Sequence, residues 1–293
     1  GIGLSETAFQ SALHYSKERV QGKLPDSENV ADPIIVHPEI RKNLMFMKSM
    51  NDGIRGLMLK AGHAFDIIES DQNEELTKSS DNLIALLTPI LKSFATDKSM
   101  EITNQALQIY GGHGYITDHG MEQLVRDARI TPIYEGTNGI QALDLIGRKF
   151  NIHNGLIINQ YLNEINKFLE DNKDNKKLHK FINLFNPSYN DLKESIKFIK
   201  KIPLNNTQEI NSHAVDLLNL FALVAVGFTW LEFIHVSITK TEDQDNDFYL
   251  AKIQLGEFYL TKVILETQKF KNNIISSGKL YNEFQDKYFE VGI

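Results

Sequence analysis

Along most of this chain apolar residues recur every three or four positions, the spacing that lines one face of a helix. Between Gly3 and Val20 the row is Leu4, Ala8, Ala12 and Tyr15, extended by Arg19 to a helix end at Gln21-Gly22. A longer row, Ile40, Leu44, Met47, Ile54, Met58, Ala61, Phe65 and Ile68, alternates steps of four and three and skips a position at Asn51. That heptad rhythm predicts one long helix packed antiparallel in a bundle, with these residues inward. Leu83, Leu86, Leu87, Ile90, Leu91 and Phe94 mark another helix, which Pro89 should kink or restart. The polar run from Asp71 to Ser80 reads as a loop, as does Leu24 to Pro38 with its three prolines.

Further on, Met100 to Gln108 predicts a short helix, Gly120 to Arg129 another, and Ala142 to Lys149 a third. Asn- and Lys-rich turns near 171–177 and 204–207 punctuate the second half. There Leu217, Leu220, Phe221, Val224, Phe228 and Leu231 share one face, and Ala251, Leu255, Phe258 and Tyr259 another. The uncharged run from Leu217 to Leu231 falls short of the roughly 20 apolar residues of a bilayer span, so it predicts a buried core helix and no membrane span. The expected fold is all-α.

Composition narrows the function. The chain has 293 residues, 31 Lys plus Arg against 38 Asp plus Glu, and a net charge of −7, which recommends neither nucleic acid nor an anionic membrane as partner. The absence of cysteine excludes disulfides, thiol catalysis and thiolate metal sites, and it suits a reducing compartment such as the cytoplasm. No clustered histidines suggest a metal. The opening Gly1-Ile2-Gly3-Leu4-Ser5-Glu6 has no basic or apolar leader and reads as a helix entered in mid-protein.

The chemistry concentrates between Gln108 and Gln141. Gly111-Gly112-His113-Gly114 predicts a tight loop that lets backbone approach another surface, or simply turns the chain. Two dozen residues later Glu135 stands in Ile133-Tyr134-Glu135-Gly136-Thr137. Apolar neighbours that desolvate a carboxylate suit it to accept a proton, whereas a solvated loop glutamate would do nothing. Arg126, Asp127 and Arg129 are expected to pair locally. Arg19 at a helix C-terminus suits the helix dipole.

The succession Gln-x-x-Gly-Gly-x-Gly-Tyr, Arg-Asp-Ala-Arg-Ile and Ile-Tyr-Glu-Gly-Thr resembles the C-terminal signature of the flavin-dependent acyl-CoA dehydrogenases over residues 1 to 150. Asn138 to Leu145 and the long tail look most like the 3-methylmercaptopropionyl-CoA dehydrogenase branch. The resemblance implies a four-helix-bundle domain over 1–150 followed by a second helical domain over 151–293, FAD as cofactor, an acyl-CoA thioester as substrate and formation of an α,β-double bond. It implies that Glu135 is the base, with Tyr134 and Gly136 beside the substrate and Thr137 against the flavin. Arg19, Gln21, His37, Gln108, Gly111 and Gly112 match positions that reach the cofactor, some of it a neighbouring subunit's. Gly139 stands where many relatives carry a glutamine, so only its backbone could help. Gln123 replaces a usual basic residue, which removes an ion pair of the family. A homodimer or homotetramer and an electron-transfer flavoprotein as acceptor are implied as partners. The family's N-terminal helical domain and middle β-domain have no counterpart here, so the chain reads as a C-terminal piece. The alternative is a non-catalytic helical oligomerisation or binding module.

Overall fold

A computed structural model of the protein describes residues 1–70, 73–150, 155–240, 246–276 and 278–292, and among them there is no β-strand. The helices are α1 (Ile2–Glu18), α2 (Pro38–Ser70), α3 (Glu74–Tyr110), α4 (Gly112–Tyr115), α5 (Met121–Ile130), α6 (Asn138–Leu143) and α7 (Leu156–Asp171). They continue as α8 (His179–Ile199), α9 (Thr207–Ser212), α10 (Ala214–Lys240), α11 (Asn246–Phe258), α12 (Thr267–Ile275) and α13 (Lys279–Glu283). The chain is all-α, as its periodicity implies.

Several local expectations change. The polar run before Ser80 is mostly helix: Asn73 caps α3 with its side-chain oxygen, which accepts from the Glu75 and Leu76 amides at 3.0 and 3.1 Å. Asp71 and Gln72 lie outside the described residues. Pro89 sits inside α3 and Met100 to Gln108 is that helix's continuation, so the two short helices expected there are one of 37 residues. Along α2 the heptad rhythm holds but the buried row is displaced. Met47, Met50, Ile54, Leu57, Ala61 and Ala64 are buried, whereas Met58 and Phe65 are 44% and 54% exposed. Steps of three and four fit two adjacent rows on one helix, and only packing decides between them.

The residues group into two compact units, each assembled from separated stretches. The first comprises 1–60, 91–138 and 229–259. In it Trp230 and Phe233 of α10 and Lys252 of α11 meet residues of α2. Trp230 is fully buried and its indole N–H donates to the Ser49 carbonyl at 3.1 Å. Gly56 permits the approach, since a methyl there would meet the Phe233 ring at 2.4 Å. Beside it the buried Asp52 carboxylate receives Lys252 at 2.7 Å and Lys48 at 3.3 Å. Arg55 reaches Glu6 at 2.9 Å, tying α1 to the same helix.

The second unit comprises 61–90, 139–228 and 260–293. Its core is aromatic. Tyr161 packs beside Phe221 and edge-on to Phe228, and Phe185 stacks on Tyr189. The Tyr189 hydroxyl donates to Asn166 at 2.9 Å, and burial pushes its phenol up to about 12. Asp191 joins α8 to α12 through Thr267 and Lys271, both at 3.1 Å.

By length and composition α10 could cross a membrane, yet 83% of its most apolar stretch is buried inside the protein. That is the signature of the core helix expected from its sequence.

Candidate functional site

Two features of the first unit hold the residues singled out from the sequence. One is a cavity of about 570 Å³ where the end of α1, the 3₁₀ turn Ile34–Val36, the start of α2 and the end of α3 converge. Arg19, Gln21, His37, Gln108, Gly111 and Gly112 all line it, so six positions spread over almost a hundred residues of sequence share one wall.

Local folding explains each placement. The helix α1 ends at Arg19, whose backbone turns extended and donates its amide to the Tyr15 carbonyl at 2.8 Å. The chain then runs antiparallel to Pro33, with Gln21 N–H to Asp32 O at 3.0 Å and Asp32 N–H to Gly22 O at 2.8 Å. Across this fold His37 Nε2 lies 2.8 Å from the Gln21 carbonyl. Gly111 closes α3 with φ 58°, a conformation a side chain would resist. A Cβ at Gly111 or Gly112 would face open space, while one at Gly114 would strike the Leu107 carbonyl at 2.6 Å. The loop therefore leans on α3 through Gly114 and offers bare backbone to the cavity at Gly111 and Gly112.

Asp32 knots the segment between them. Its carboxylate accepts from the Leu24 amide at 2.9 Å, from Ser27 at 2.7 Å and from Asn29 at 2.7 Å. The backbone donor first, then the two side chains, hold it down to about 2. A carboxyl depressed in the fold contributes stability above its ordinary value of 3.8 and loses it as pH falls toward 2. Asp32→Asn is accordingly expected to flatten the loss of melting temperature between about pH 4 and 2, and an unchanged acid limb would show that the knot does not titrate with folding.

One constellation here was not foreseen as a group. Tyr15 and Tyr110 stack with centroids 4.0 Å apart, His113 and His119 stack at 5.2 Å, and the Tyr15 hydroxyl shares a 2.8 Å hydrogen bond with His113 Nδ1. Tyr15, Tyr110 and His113 belong to the cavity wall. Each was visible in a helical row or in the glycine motif, but no spacing rule joins residues some 98 positions apart.

The second feature is the loop that carries Glu135. It leaves α5 at Thr131 and Pro132, both buried, and the Asn138 amide closes it onto the Pro132 carbonyl at 3.1 Å. Glu135 has φ 53° and Gly136 φ 83°, two consecutive left-handed residues, and Glu135 is the one non-glycine with positive φ among the described residues. A side chain held there costs roughly 1–3 kcal/mol and persists only where surroundings impose it. From α3, Lys92 reaches the loop, donating to the Gly136 carbonyl at 2.7 Å and to Asn138 Oδ1 at 2.8 Å. The Asn138 amide group in turn reaches the Ser93 carbonyl at 3.1 Å and Asp97 at 2.7 Å. Burial lowers the Lys92 ammonium, with the charges of Asp97 and Glu135 opposing, and burial raises the Asp97 carboxyl.

The apolar box expected around Glu135 is not closed by this chain. Glu135 is exposed, and so are Ile133 and Tyr134, the latter by 50%, because the loop stands clear of the unit's core. Gly136 and Thr137 are exposed beside it. None of the four loop residues Tyr134 to Thr137 lines the cavity, and Gly139 lies in the first turn of α6, in the second unit. Asp127 takes a 2.6 Å hydrogen bond from Gln123, so the residue in the place of the family's basic one still holds it. Among the described residues no cluster of His, Asp and Glu is arranged to hold a metal.

Comparison with known proteins bears on what these features are. The family described as acyl-CoA dehydrogenase, C-terminal domain, matches residues 1–150, and the one described as acetyl-CoA dehydrogenase C-terminal like matches 161–284. The chain belongs to the acyl-CoA dehydrogenase family. A 3-methylmercaptopropionyl-CoA dehydrogenase of Ruegeria pomeroyi is 41% identical over 150 residues, 51% of this chain and 25% of that protein. A butyryl-CoA dehydrogenase of Syntrophomonas wolfei is 26% identical over 90% of this chain and 44% of its own length. The chain thus spans less than half the length of these acyl-CoA dehydrogenase relatives. The crystal structure of Caenorhabditis elegans ACDH-11 in complex with C11-CoA shares the fold across 99% of this chain and 45% of that one, with TM-score 0.77 and 19% identity. An acyl-CoA dehydrogenase from Bacillus anthracis, crystallised with FAD, does so with TM-score 0.72 and 17% identity over 99% of this chain and 48% of that one.

Proposed function

We propose that this chain forms the C-terminal helical part of an FAD-dependent acyl-CoA dehydrogenase, which introduces an α,β-double bond into an acyl-CoA thioester. The observation that carries the reading is Glu135, an exposed carboxylate held in a left-handed conformation inside the matched Tyr-Glu-Gly motif. Backbone strain of this kind collects at working sites, where the surroundings hold a group in one aim.

The chemistry follows from the substrate. An α-hydrogen next to a thioester is weakly acidic, so a positioned base must take it as charge builds on the thioester oxygen. We assign the proton to the Glu135 carboxylate, and to the Glu135 main-chain N–H a hydrogen bond to that oxygen, which strengthens in the transition state. Gly136 leaves the substrate access, and the exposed Tyr134 flanks it. Bound FAD would accept the hydride from the β-carbon. The residues fit such a group: Arg19 supplies a cation to a phosphate, and Gly111 and Gly112 expose backbone with open space before them. Gln21, His37 and Gln108 line the same cavity, and we assign Thr137 a further contact to the flavin. An acyl-CoA is the substrate, a homodimer or homotetramer supplies the second subunit at the cavity, and an electron-transfer flavoprotein accepts the electrons. A cytoplasmic site accords with the absence of cysteine.

The test is purification of the full-length gene product. A flavin absorption band that bleaches anaerobically on mixing with acyl-CoA is the expected result. Arg19→Ala is expected to lower flavin retention more than the melting temperature of the apoprotein, whereas the opposite order would make Arg19 only a helix end. A colourless, stable oligomer would favour the non-catalytic helical module.

A further inference from the structure

We propose that Lys92 is the positioning residue of the Glu135 loop: its ammonium, bonded to the Gly136 carbonyl and to Asn138, locks the left-handed Glu135–Gly136 turn that aims the carboxylate. The inference rests on the reading of Glu135 as the base and adds a residue lying 43 positions upstream on another helix.

Three observations converge on it. The loop has an unfavourable backbone, because two successive residues are left-handed and one of them carries a side chain. Backbone bonds close this five-residue loop at its base, from Tyr134 N–H to Ile130 O and from Asn138 N–H to Pro132 O, and neither of these bonds involves Glu135 or Gly136 at its tip. Lys92 supplies a tie there at 2.7 Å, where the carbonyl it holds belongs to the residue directly after the glutamate.

The second observation is that Lys92 is itself fixed. An ammonium has three N–H donors. One goes to Gly136 and one to Asn138 Oδ1, and Asn138 is gripped in turn by Ser93, Thr96 and Asp97, all within about one and a half turns further along α3. The clamp is thus a short polar relay from one rigid helix to one carbonyl.

Third, the charge is apt. The negative charge of Glu135 acts on the Lys92 ammonium, so the group that fixes the backbone also attracts the carboxylate toward its own side of the loop. An uncharged donor of the same reach would fix the turn without that attraction. Relaxation of the turn into a right-handed or extended conformation would swing the carboxylate away from its aim, and a misplacement on the order of 1 Å costs about 100-fold in rate.

Lys92→Met removes the donors and the charge but keeps the stem, Lys92→Arg keeps a cation, and Lys78→Met makes the same charge change at an exposed position elsewhere on α3. In the flavin-loaded, full-length protein Lys92→Met is expected to slow flavin bleaching by about 10- to 100-fold, with acyl-CoA affinity within roughly threefold, partial rescue by Lys92→Arg, and no effect of Lys78→Met. Independently of activity, amide hydrogen exchange in residues 133–138 is expected to rise roughly tenfold in Lys92→Met and to stay unchanged in Lys78→Met. Glu135→Gln is measured alongside. If Glu135→Gln bleaches normally, the base lies elsewhere and the exchange measurement alone judges Lys92. If Glu135→Gln is inactive while Lys92→Met bleaches and exchanges like the unaltered protein, the positioning role is overturned.

Discussion

Glu135→Gln in the flavin-loaded, full-length protein is expected to bind acyl-CoA and yet turn over about 10²- to 10⁴-fold more slowly. The substitution preserves size and hydrogen-bonding reach but removes the ability to take a proton. The left-handed backbone is equally strained for glutamine, and the Lys92 clamp acts on the Gly136 carbonyl rather than on the side chain, so loop geometry should survive. The loss therefore belongs in the chemical step and not in substrate binding. Stopped-flow bleaching of the flavin band under anaerobic conditions measures it, and a rate equal to that of the unaltered protein would place the base on another residue.

Trp230→Ala is expected to carry the largest stability effect, about 3–5 kcal/mol, as for other buried large-to-small changes. The indole is fully buried, meets Phe233 edge-on at 5.6 Å, and underlies the Lys252 ammonium that pairs with Asp52. Removing it opens a cavity, withdraws the donor from the Ser49 carbonyl and loosens the attachment of α11 at once. Trp230→Phe should recover much of the packing and leave mainly the lost hydrogen bond, about 1 kcal/mol. Urea denaturation of the two variants gives the difference. A loss below about 1 kcal/mol in Trp230→Ala would mean that the tail's contacts with α2 contribute little.

Much of this was legible beforehand, for reasons that differ from residue to residue. Helix content came from spacing, because three-and-four periodicity is a property of the sequence itself. Which side of α2 is buried did not, since Met58 and Leu57 are neighbours and only tertiary packing decides between them. The Glu135 motif announced itself in Tyr134 and Gly136, but its left-handed backbone did not, because glutamate has no preference for that conformation and the constraint arrives from Lys92. Arg19, Gln21, His37, Gln108, Gly111 and Gly112 were recognisable as a group only through the family motif, since they are spread over almost a hundred residues of sequence. The expected desolvation of Glu135 failed for a related reason: apolar neighbours in sequence shield a carboxylate only when something packs over them.

The tie between Trp230 and Ser49 also sets a schedule. The two residues are 181 positions apart, and Lys252 is 200 from its partner Asp52. At ribosomal speeds of about 5–20 residues per second, the finished surface of α2 waits on the order of ten seconds or more for its cover. During that interval the Ser49 carbonyl lacks the Trp230 indole and the Asp52 carboxylate lacks the Lys252 ammonium that they end with. Closing so long a loop is an entropic penalty that grows only slowly with length, so the delay is one of time more than of free energy. The first unit is therefore incomplete between the emergence of α3 and that of α11, and only the arrival of α10 and α11 finishes the surface of α2.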